Sequence, residues 1–238
     1  MKRIASVLLA LSLLLTGCAG AQEPEKVPEK KQYTATFLTL FDTVTTIVGK
    51  ADSEEAFTAT AQGIHDELQK YHQLFDIYND YEGLNNLKTV NDNAGIAPVQ
   101  VDRAVIDLLL DCKAYCELTG GMVNPAMGSV LALWHEARDD GINDPVNAYL
   151  PDSEQLKEAA AHMDFDAVII DEAASTVYLS DAEMRLDVGA VAKGWSVQRV
   201  CENAPEGLLI SVGGNVCATG AKDDSGTPWV VGIQNPDG

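Results

Sequence analysis

Apolar residues recur at two different spacings along the chain, and these spacings separate helical from extended segments. Over residues 53–75 they step alternately by four and three positions, which is the period of one face of a helix. Residues 33–50 are instead rich in threonine, valine, isoleucine and phenylalanine, which predicts one long strand or a hairpin turning near Asp42. The first part of the fold is therefore expected to combine a β-ribbon with a long amphipathic helix.

Capping residues and apolar faces predict further helices, and short apolar runs predict strands. Helices are expected at about residues 84–90, 102–118, 126–137, 152–163 and 191–203. Strands are expected at 167–170, 176–179, 184–187, 208–212, 216–219 and 229–234, with a loop at 139–150. Helices mostly precede strands in this order, so we predict an α+β fold.

The amino terminus has the pattern of an export signal. Lys2 and Arg3 precede an apolar run at residues 4–15, which is shorter than the ~20 residues that span a bilayer. The sequence Leu15-Thr16-Gly17-Cys18 then resembles a bacterial lipobox, in which Cys18 becomes the lipidated first residue. The alternative is a plain signal peptide with an incidental cysteine.

These features predict three parts of the chain. Residues 1–17 form a signal peptide, residues 18–32 a lipidated cysteine with a polar, flexible tether, and residues 33–238 a single domain. The protein is then expected at the extracytoplasmic face of the cell membrane, held there by its lipid anchor.

Charge and cysteine content exclude some classes of function. Acidic residues outnumber basic ones 36 to 16, for a net charge of −20, which disfavours a nucleic-acid partner and broad electrostatic adhesion to anionic lipid. The remaining cysteines are Cys112, Cys116, Cys201 and Cys217, and their spacing is not that of a zinc site. We predict that they are buried free thiols, and the alternative is a disulfide between Cys112 and Cys116.

Residues 186–195 carry the strongest local signal for chemistry. An apolar run ends at Asp187, Gly189 permits a sharp turn, and a helix follows whose backbone N–H groups suit a phosphate. Lys193 lies in the first turn, where a cation opposes the helix dipole, so a bound phosphate explains it better than helix stability does. The alternative is a solvated lysine beside an N-cap aspartate. Neither a P-loop nor a GxGxxG pattern is present.

Two glycine-containing segments admit both a structural and a ligand-binding interpretation. Residues 120–128 join two helices as a connector with an Asn124-Pro125 turn, and residues 211–215 end a strand in a hairpin or in close approach to a ligand. The four histidines are expected to be surface or core residues rather than ligands: His65, His72, His135 and His162.

Together and in this order, these segments resemble the ApbE family of FAD:protein FMN transferases. Residues 187–194 look like the family's D-x-G-[GA]-x-A-K-G signature, and residues 121–134 are similar to its G-x-F-[ND]-P…L-W segment. Shorter similarities lie at residues 41–43, 75–85 and 210–214, and the likeness runs from about Phe37 to the last residue.

The resemblance implies a T-fold-like single α+β domain, with helices packed on a mostly antiparallel sheet, that binds FAD and Mg²⁺. Such an enzyme transfers FMN to a threonine or serine of an exported acceptor protein and releases AMP. By the motif, Asp187 and Lys193 would contact FAD, and the Ala190 carbonyl would bind the metal. The resemblance implies that the flavin nucleotide site is lined by Phe41, Tyr78, Met122, Val123 and Asn124.

Departures from the family pattern leave alternatives open. Phe41 replaces a methionine and Met122 a phenylalanine, and the family's later His-x-x-Asp-Pro and acidic metal-binding elements are missing. We therefore expect a C-terminally truncated domain whose remaining metal ligands would follow residue 238, and the sequence names no catalytic base. If water attacks instead of a hydroxyl, the same site becomes an FAD pyrophosphatase. A non-enzymatic ligand-binding lipoprotein is the third possibility.

Overall fold

The computed structural model describes residues 30–236, and contacts group the chain from Lys31 onward into one unit. The predicted signal peptide, Cys18 and most of the tether lie outside the described residues. Within residues 30–236, no helix is both long enough and apolar enough to cross a membrane.

In the described part of the chain, seven strands form two antiparallel sheets. The four-stranded sheet has the order β1-β2-β6-β7 and the three-stranded sheet the order β3-β5-β4. The strands are β1 (Lys31–Leu40), β2 (Thr43–Ala51), β3 (Val99–Gln100), β4 (Val168–Asp171), β5 (Thr176–Leu179), β6 (Leu208–Val212) and β7 (Asn215–Ala218). The first two strands form the predicted hairpin, with Leu40 paired to Thr43.

Within residues 30–236 there are six α-helices. They are α1 (Glu54–Phe75), α2 (Leu87–Asp92), α3 (Arg103–Leu118), α4 (Gly128–Asn143), α5 (Ser153–Ala160) and α6 (Ala192–Asn203). Short 3₁₀ turns lie at Pro145–Asn147 and Phe165–Ala167. Helix starts follow the capping signals, since the side chains of Ser53, Asp102 and Asp152 each accept a hydrogen bond from a backbone N–H of the first turn.

The core consists of two apolar clusters. One lies between the four-stranded sheet and two helices, and includes Phe57 and Leu68 of α1 and Val197 of α6. The other surrounds α3 and the three-stranded sheet, and it includes Leu109 and Val177. Helices packed on antiparallel sheets in one domain confirm the predicted α+β class.

Three local predictions are wrong. Helix α4 continues to Asn143 through part of the predicted loop, because no proline interrupts the helical backbone before Pro145. Residues 184–187 form only a single parallel bridge, between Arg185 and Met127. Residues 229–234 have no regular structure and expose apolar side chains such as Ile233, since strand propensity alone forms no ladder without a neighbouring strand.

All four cysteines of the described chain are free thiols, as predicted. Cys112 and Cys201 are buried, whereas Cys116 and Cys217 are partly exposed. Burial raises the pKa of the Cys112 thiol to about 12, so it behaves as an apolar core side chain.

Candidate functional site

A cavity of about 280 Å³ lies where four separate segments of the chain meet. These segments are the β1–β2 turn, the end of α1 with its following loop, the middle of α4, and the start of α6. The lining includes aromatic, acidic and basic side chains: Phe41, Asp42, His72, Phe75, Asp76, Ile77, Tyr78, Asn79, His135, Asp187, Val188, Gly189, Ala192 and Lys193.

The buried Asp76 organises the loop that follows α1. Its carboxylate accepts hydrogen bonds from the backbone N–H groups of Tyr78 (2.7 Å) and Asn79 (3.2 Å), from the Asn79 amide (2.9 Å) and from the Tyr81 hydroxyl (2.7 Å). Burial raises the pKa of Asp76, but these hydrogen bonds outweigh burial and hold it below its usual value. Asp76 is therefore an anchor for the loop that presents Tyr78 to the cavity.

The segment before α6 is held by side-chain and carbonyl groups rather than by a strand ladder. The buried Asn91 accepts a hydrogen bond from the Leu186 N–H (2.7 Å) and donates one to the Leu186 carbonyl (3.0 Å). The Asp187 N–H donates to the carbonyl of Pro125 at 2.8 Å. These hydrogen bonds fix the backbone position of Asp187. The alternating apolar pattern at residues 184–187 predicted a strand here and not these contacts.

Asp187 and Lys193 both face the cavity, and both contact Gly189. The Asp187 Oδ1 accepts from the Gly189 N–H at 2.8 Å, and the Lys193 Nζ donates to the Gly189 carbonyl at 3.4 Å. Asp187 therefore caps the turn before α6 rather than the helix itself. No side chain of the described chain caps the start of α6, which leaves that end of the helix open toward an anion.

The β1–β2 turn is an unusual element of the cavity wall. Phe41 and Asp42 both adopt left-handed backbone conformations, with φ of 52° and 50°. This conformation is uncommon for a bulky residue, and surrounding contacts must hold it. The Phe41 N–H donates to His72 Nδ1 at 3.3 Å, and the two rings meet edge to face with centroids 5.4 Å apart.

Sequence reasoning missed two histidines that line the cavity, His72 and His135. His135 Nδ1 lies 2.9 Å from the Tyr78 hydroxyl, and His135 Nε2 lies 3.8 Å from Asp187 Oδ2. Both histidines lie on helices whose local pattern resembles that of any amphipathic helix. The nearest available signal was the position of His135 directly after the Leu-Trp pair of the family-like segment.

The structure brings together four of the predicted FAD contacts and leaves three elsewhere. Phe41, Tyr78, Asp187 and Lys193 share the cavity. The other three do not line it: Met122 is 84% exposed, Val123 is partly exposed, and Asn124 lines a second cavity of about 370 Å³. The contact of these three residues with a flavin nucleotide stays a prediction.

The residues 211–215 form a tight hairpin, in agreement with the structural interpretation. Gly213 and Gly214 have φ of 54° and 86°, and together they connect β6 to β7. The close neighbour of Gly213 is Thr43, whose Oγ1 would lie 2.7 Å from an added Cβ. This turn therefore supports the β1–β2 turn from behind.

A metal site made of side chains is not found among residues 30–236. No group of three or more histidine, cysteine, aspartate or glutamate side chains in that range is arranged to hold a metal ion. Ala190, whose carbonyl was predicted to bind the metal, is exposed beside the cavity segment. Its role stays a prediction.

Comparison with known proteins identifies relatives of this chain. The ApbE family model matches residues 40–238. The FAD:protein FMN transferase of Treponema pallidum is 35% identical over 168 residues, covering 64% of this chain and 44% of that protein. The FAD:protein FMN transferase of Klebsiella pneumoniae is 30% identical over 182 residues, which cover 72% of this chain and 53% of that protein. The chain thus spans about half the length of these two relatives.

Solved structures of ApbE proteins share the fold of this chain. The crystal structure of the ApbE protein from Thermotoga maritima superposes with a TM-score of 0.72 at 25% identity, covering 87% of this chain and 65% of that one. The flavin transferase ApbE from Vibrio cholerae superposes with a TM-score of 0.70 at 19% identity, with the same coverage, and shares the fold.

Proposed function

The chain belongs to the ApbE family, and on this premise we propose that it acts as an FAD:protein FMN transferase. The acceptor would be a threonine or serine hydroxyl of an exported protein, and AMP would be released. The observation that carries the proposal is the meeting of Asp187 and Lys193 with Tyr78 and Phe41 on one cavity. An aromatic wall facing an anion-compatible helix start matches the two chemical parts of a flavin nucleotide.

The cavity can enclose one part of such a ligand. Its volume of about 280 Å³ lies at the lower limit of the roughly 300–1,000 Å³ usual for small-molecule sites. We expect the flat flavin ring to contact Tyr78 and Phe41, while the pyrophosphate lies near Lys193 and the open start of α6. The rest of the dinucleotide would remain outside, where a protein acceptor can approach it.

The proposed reaction is a single phosphoryl transfer. The acceptor oxygen forms a bond to the FMN phosphorus, the pyrophosphate bond breaks, AMP leaves, and the hydroxyl proton is lost to a base that we do not assign. Residues of this chain would bind and orient FAD: Lys193 offsets phosphate charge, and the start of α6 offers backbone donors. If water replaces the acceptor hydroxyl, the products are FMN and AMP.

Magnesium belongs to the proposal on the strength of the family resemblance, and Ala190 is an exposed residue beside the cavity segment. A divalent cation at phosphate oxygens would neutralise developing negative charge. The described residues supply no group of three side-chain ligands for it, so we derive no step of the reaction through the metal.

Membrane attachment through a lipid on Cys18 also belongs to the proposal, and the lipobox-like residues 15–18 support it. A Cys18→Ala variant of the full chain should be absent from the membrane fraction and should no longer incorporate labelled lipid. Retention of the label by that variant would exclude Cys18 as the anchor.

The central experiment incubates the full-length protein, as expressed from its complete gene, with FAD, Mg²⁺ and an acceptor protein that carries a candidate threonine; residues 18–238 alone are expected to bind FAD weakly and turn it over little. We expect covalent flavin fluorescence on the acceptor and an equal amount of AMP. Lys193→Ala should weaken FAD binding by roughly 10- to 100-fold, as expected for a charge-assisted contact, and Lys157→Ala, which alters an exposed Lys157–Glu154 pair, should not. AMP without an acceptor would indicate hydrolysis, and absence of both products with every divalent metal would refute the proposal.

A further inference from the structure

The His135 side chain lies between two walls of the cavity and contacts a residue on each. On one side its Nδ1 is 2.9 Å from the Tyr78 hydroxyl, and the two rings are 5.9 Å apart. On the other side its Nε2 is 3.8 Å from Asp187 Oδ2. His135 and Asp187 are largely buried, with 25% and 10% of their side chains exposed, whereas Tyr78 is 58% exposed.

The nearby carboxylate favours one direction for the hydrogen bond between Tyr78 and His135. A carboxylate attracts an N–H, so Asp187 favours a proton on His135 Nε2. In this neutral tautomer the Nδ1 atom is an acceptor and takes the hydrogen bond from the Tyr78 hydroxyl. Burial and the nearby Asp187 carboxylate raise the pKa of Tyr78, so its hydroxyl keeps the proton that it donates.

Each of the three side chains extends from a backbone segment that is held by its own hydrogen bonds, and the segments of His135 and Asp187 also contact each other. The Asp76 carboxylate fixes the Tyr78 loop, and Asn91 and Pro125 fix the Asp187 segment. His135 extends from α4, whose first turn is tied to residue 183 by the hydrogen bond from Ser129 Oγ to the Glu183 carbonyl at 2.6 Å. The imidazole therefore joins supports that are already held, and it contacts the exposed Tyr78 ring, whose hydroxyl also faces Arg138.

We propose that His135 is a positioning residue of this cavity, which holds the Tyr78 ring and the Asp187 carboxylate in the orientation that receives an aromatic, phosphate-bearing ligand. The identity of that ligand as a flavin nucleotide rests on the proposed function. With His135 in place, the Tyr78 ring is ordered before binding, so the ligand need not order it. Loss of this preorganisation should weaken binding by roughly three- to tenfold.

Two conservative variants separate the contacts of the imidazole. Asparagine places an amide near the position of Nδ1, and glutamine places one near the position of Nε2, so His135→Asn keeps the Tyr78 contact and His135→Gln keeps the Asp187 contact. FAD and FMN binding is measured by flavin fluorescence titration of the full chain. We expect His135→Ala to lose three- to tenfold in affinity, and His135→Asn to recover most of that loss.

The double variant tests whether His135 acts through Tyr78. Tyr78→Phe should weaken binding about as much as His135→Ala, and the combined variant should be no weaker than either single one. Fully additive losses would overturn the proposed coupling. His162→Ala is the matched control, since His162 forms a similar 2.7 Å contact with Asp181 but does not line the cavity.

A measurement without ligand distinguishes this inference from the proposed function. The ¹⁵N spectrum of the His135 ring should show the Nε2–H tautomer with a hydrogen-bonded Nδ1, and Tyr78→Phe should shift the Nδ1 resonance. An unchanged spectrum would overturn the coupling whichever ligand binds. If the wild-type chain binds neither FAD nor FMN, the proposed function fails. If it binds FAD and His135→Ala binds equally well, only the role of His135 fails.

Discussion

Gly128 marks the point where the start of α4 is pressed against the segment that carries Asp187. A Cβ added at Gly128 would lie 2.4 Å from the Arg185 carbonyl oxygen and 2.6 Å from its carbonyl carbon. These neighbours are backbone atoms, so they cannot rotate away as a side chain could. Carbon atoms in proteins pack at about 3.5–4.0 Å, so Gly128→Ala requires the helix and the segment to separate by roughly 1 Å.

Two effects bear on the cost of Gly128→Ala. Overpacking of a tight contact costs about 1–3 kcal/mol. The advantage of alanine over glycine applies to helix interiors and contributes little at Gly128, which is the first residue of α4. We therefore expect the free energy of unfolding to fall by roughly 1–3 kcal/mol. FAD binding should weaken as well, because α4 carries His135 and the displaced segment carries Asp187.

Gly63→Ala is the matched control, since Gly63 also lies in a helix but has no atom within 4 Å of an added Cβ. That variant should gain about 0.5–1 kcal/mol from helix propensity alone. Urea denaturation of both variants and the wild type shows whether each substitution raises or lowers the free energy of unfolding. Flavin fluorescence titration measures the change in FAD affinity. A Gly128→Ala protein as stable as the wild type, with unchanged FAD affinity, would refute the close-contact argument.

Two further predictions concern the walls of the cavity. Asp76→Asn should lower the free energy of unfolding at pH 7 by about 1–3 kcal/mol. The pKa of Asp76 is lower in the folded than in the unfolded state. The difference in stability between the variant and the wild type should therefore shrink below about pH 4, as the wild-type carboxylate is protonated. A pH-independent difference in denaturation would contradict the assignment. Gly214→Ala, which meets open space, should cost about 1 kcal/mol through its left-handed backbone, whereas Gly213→Ala should cost roughly 1–3 kcal/mol more because its Cβ meets Thr43. Equal melting temperatures would exclude that contact.

Elements with local signals could be predicted closely from the sequence. Helix α1 begins one residue after Ser53, whose side chain accepts a hydrogen bond from Ala56 N–H, and it ends at Phe75 as the apolar period indicated. The β1–β2 hairpin turns at Phe41 and Asp42, next to the predicted position. In both cases, the residues that determine the structure are neighbours in sequence.

The features that were predicted wrongly or missed depend on contacts between residues distant in sequence. Residues 184–187 alternate buried and partly buried side chains as a strand does, but backbone groups of Leu186 and Asp187 bond to Asn91 and to the carbonyl of Pro125 instead of to a neighbouring strand. His135 has the same limitation, because its contact with Tyr78 spans 57 positions. Local patterns identify which face of a helix is buried, but they do not identify what lies opposite a polar side chain on that face.

Gly189 explains how a cavity with several carboxylates can still present a cation to a phosphate. Asp187 and Lys193 are six positions apart and could have neutralised each other in a salt bridge, yet neither appears in an ion pair with the other among the described residues. Instead, Asp187 accepts from the Gly189 N–H and Lys193 donates to the Gly189 carbonyl, so the two charged side chains bind opposite backbone groups of one residue and not each other. The Asp76 charge is already compensated by its hydrogen-bond donors. Within residues 30–236, Lys193 Nζ contacts a neutral carbonyl and forms no ion pair, and a phosphate that replaces this contact gains a stronger, charge-assisted one.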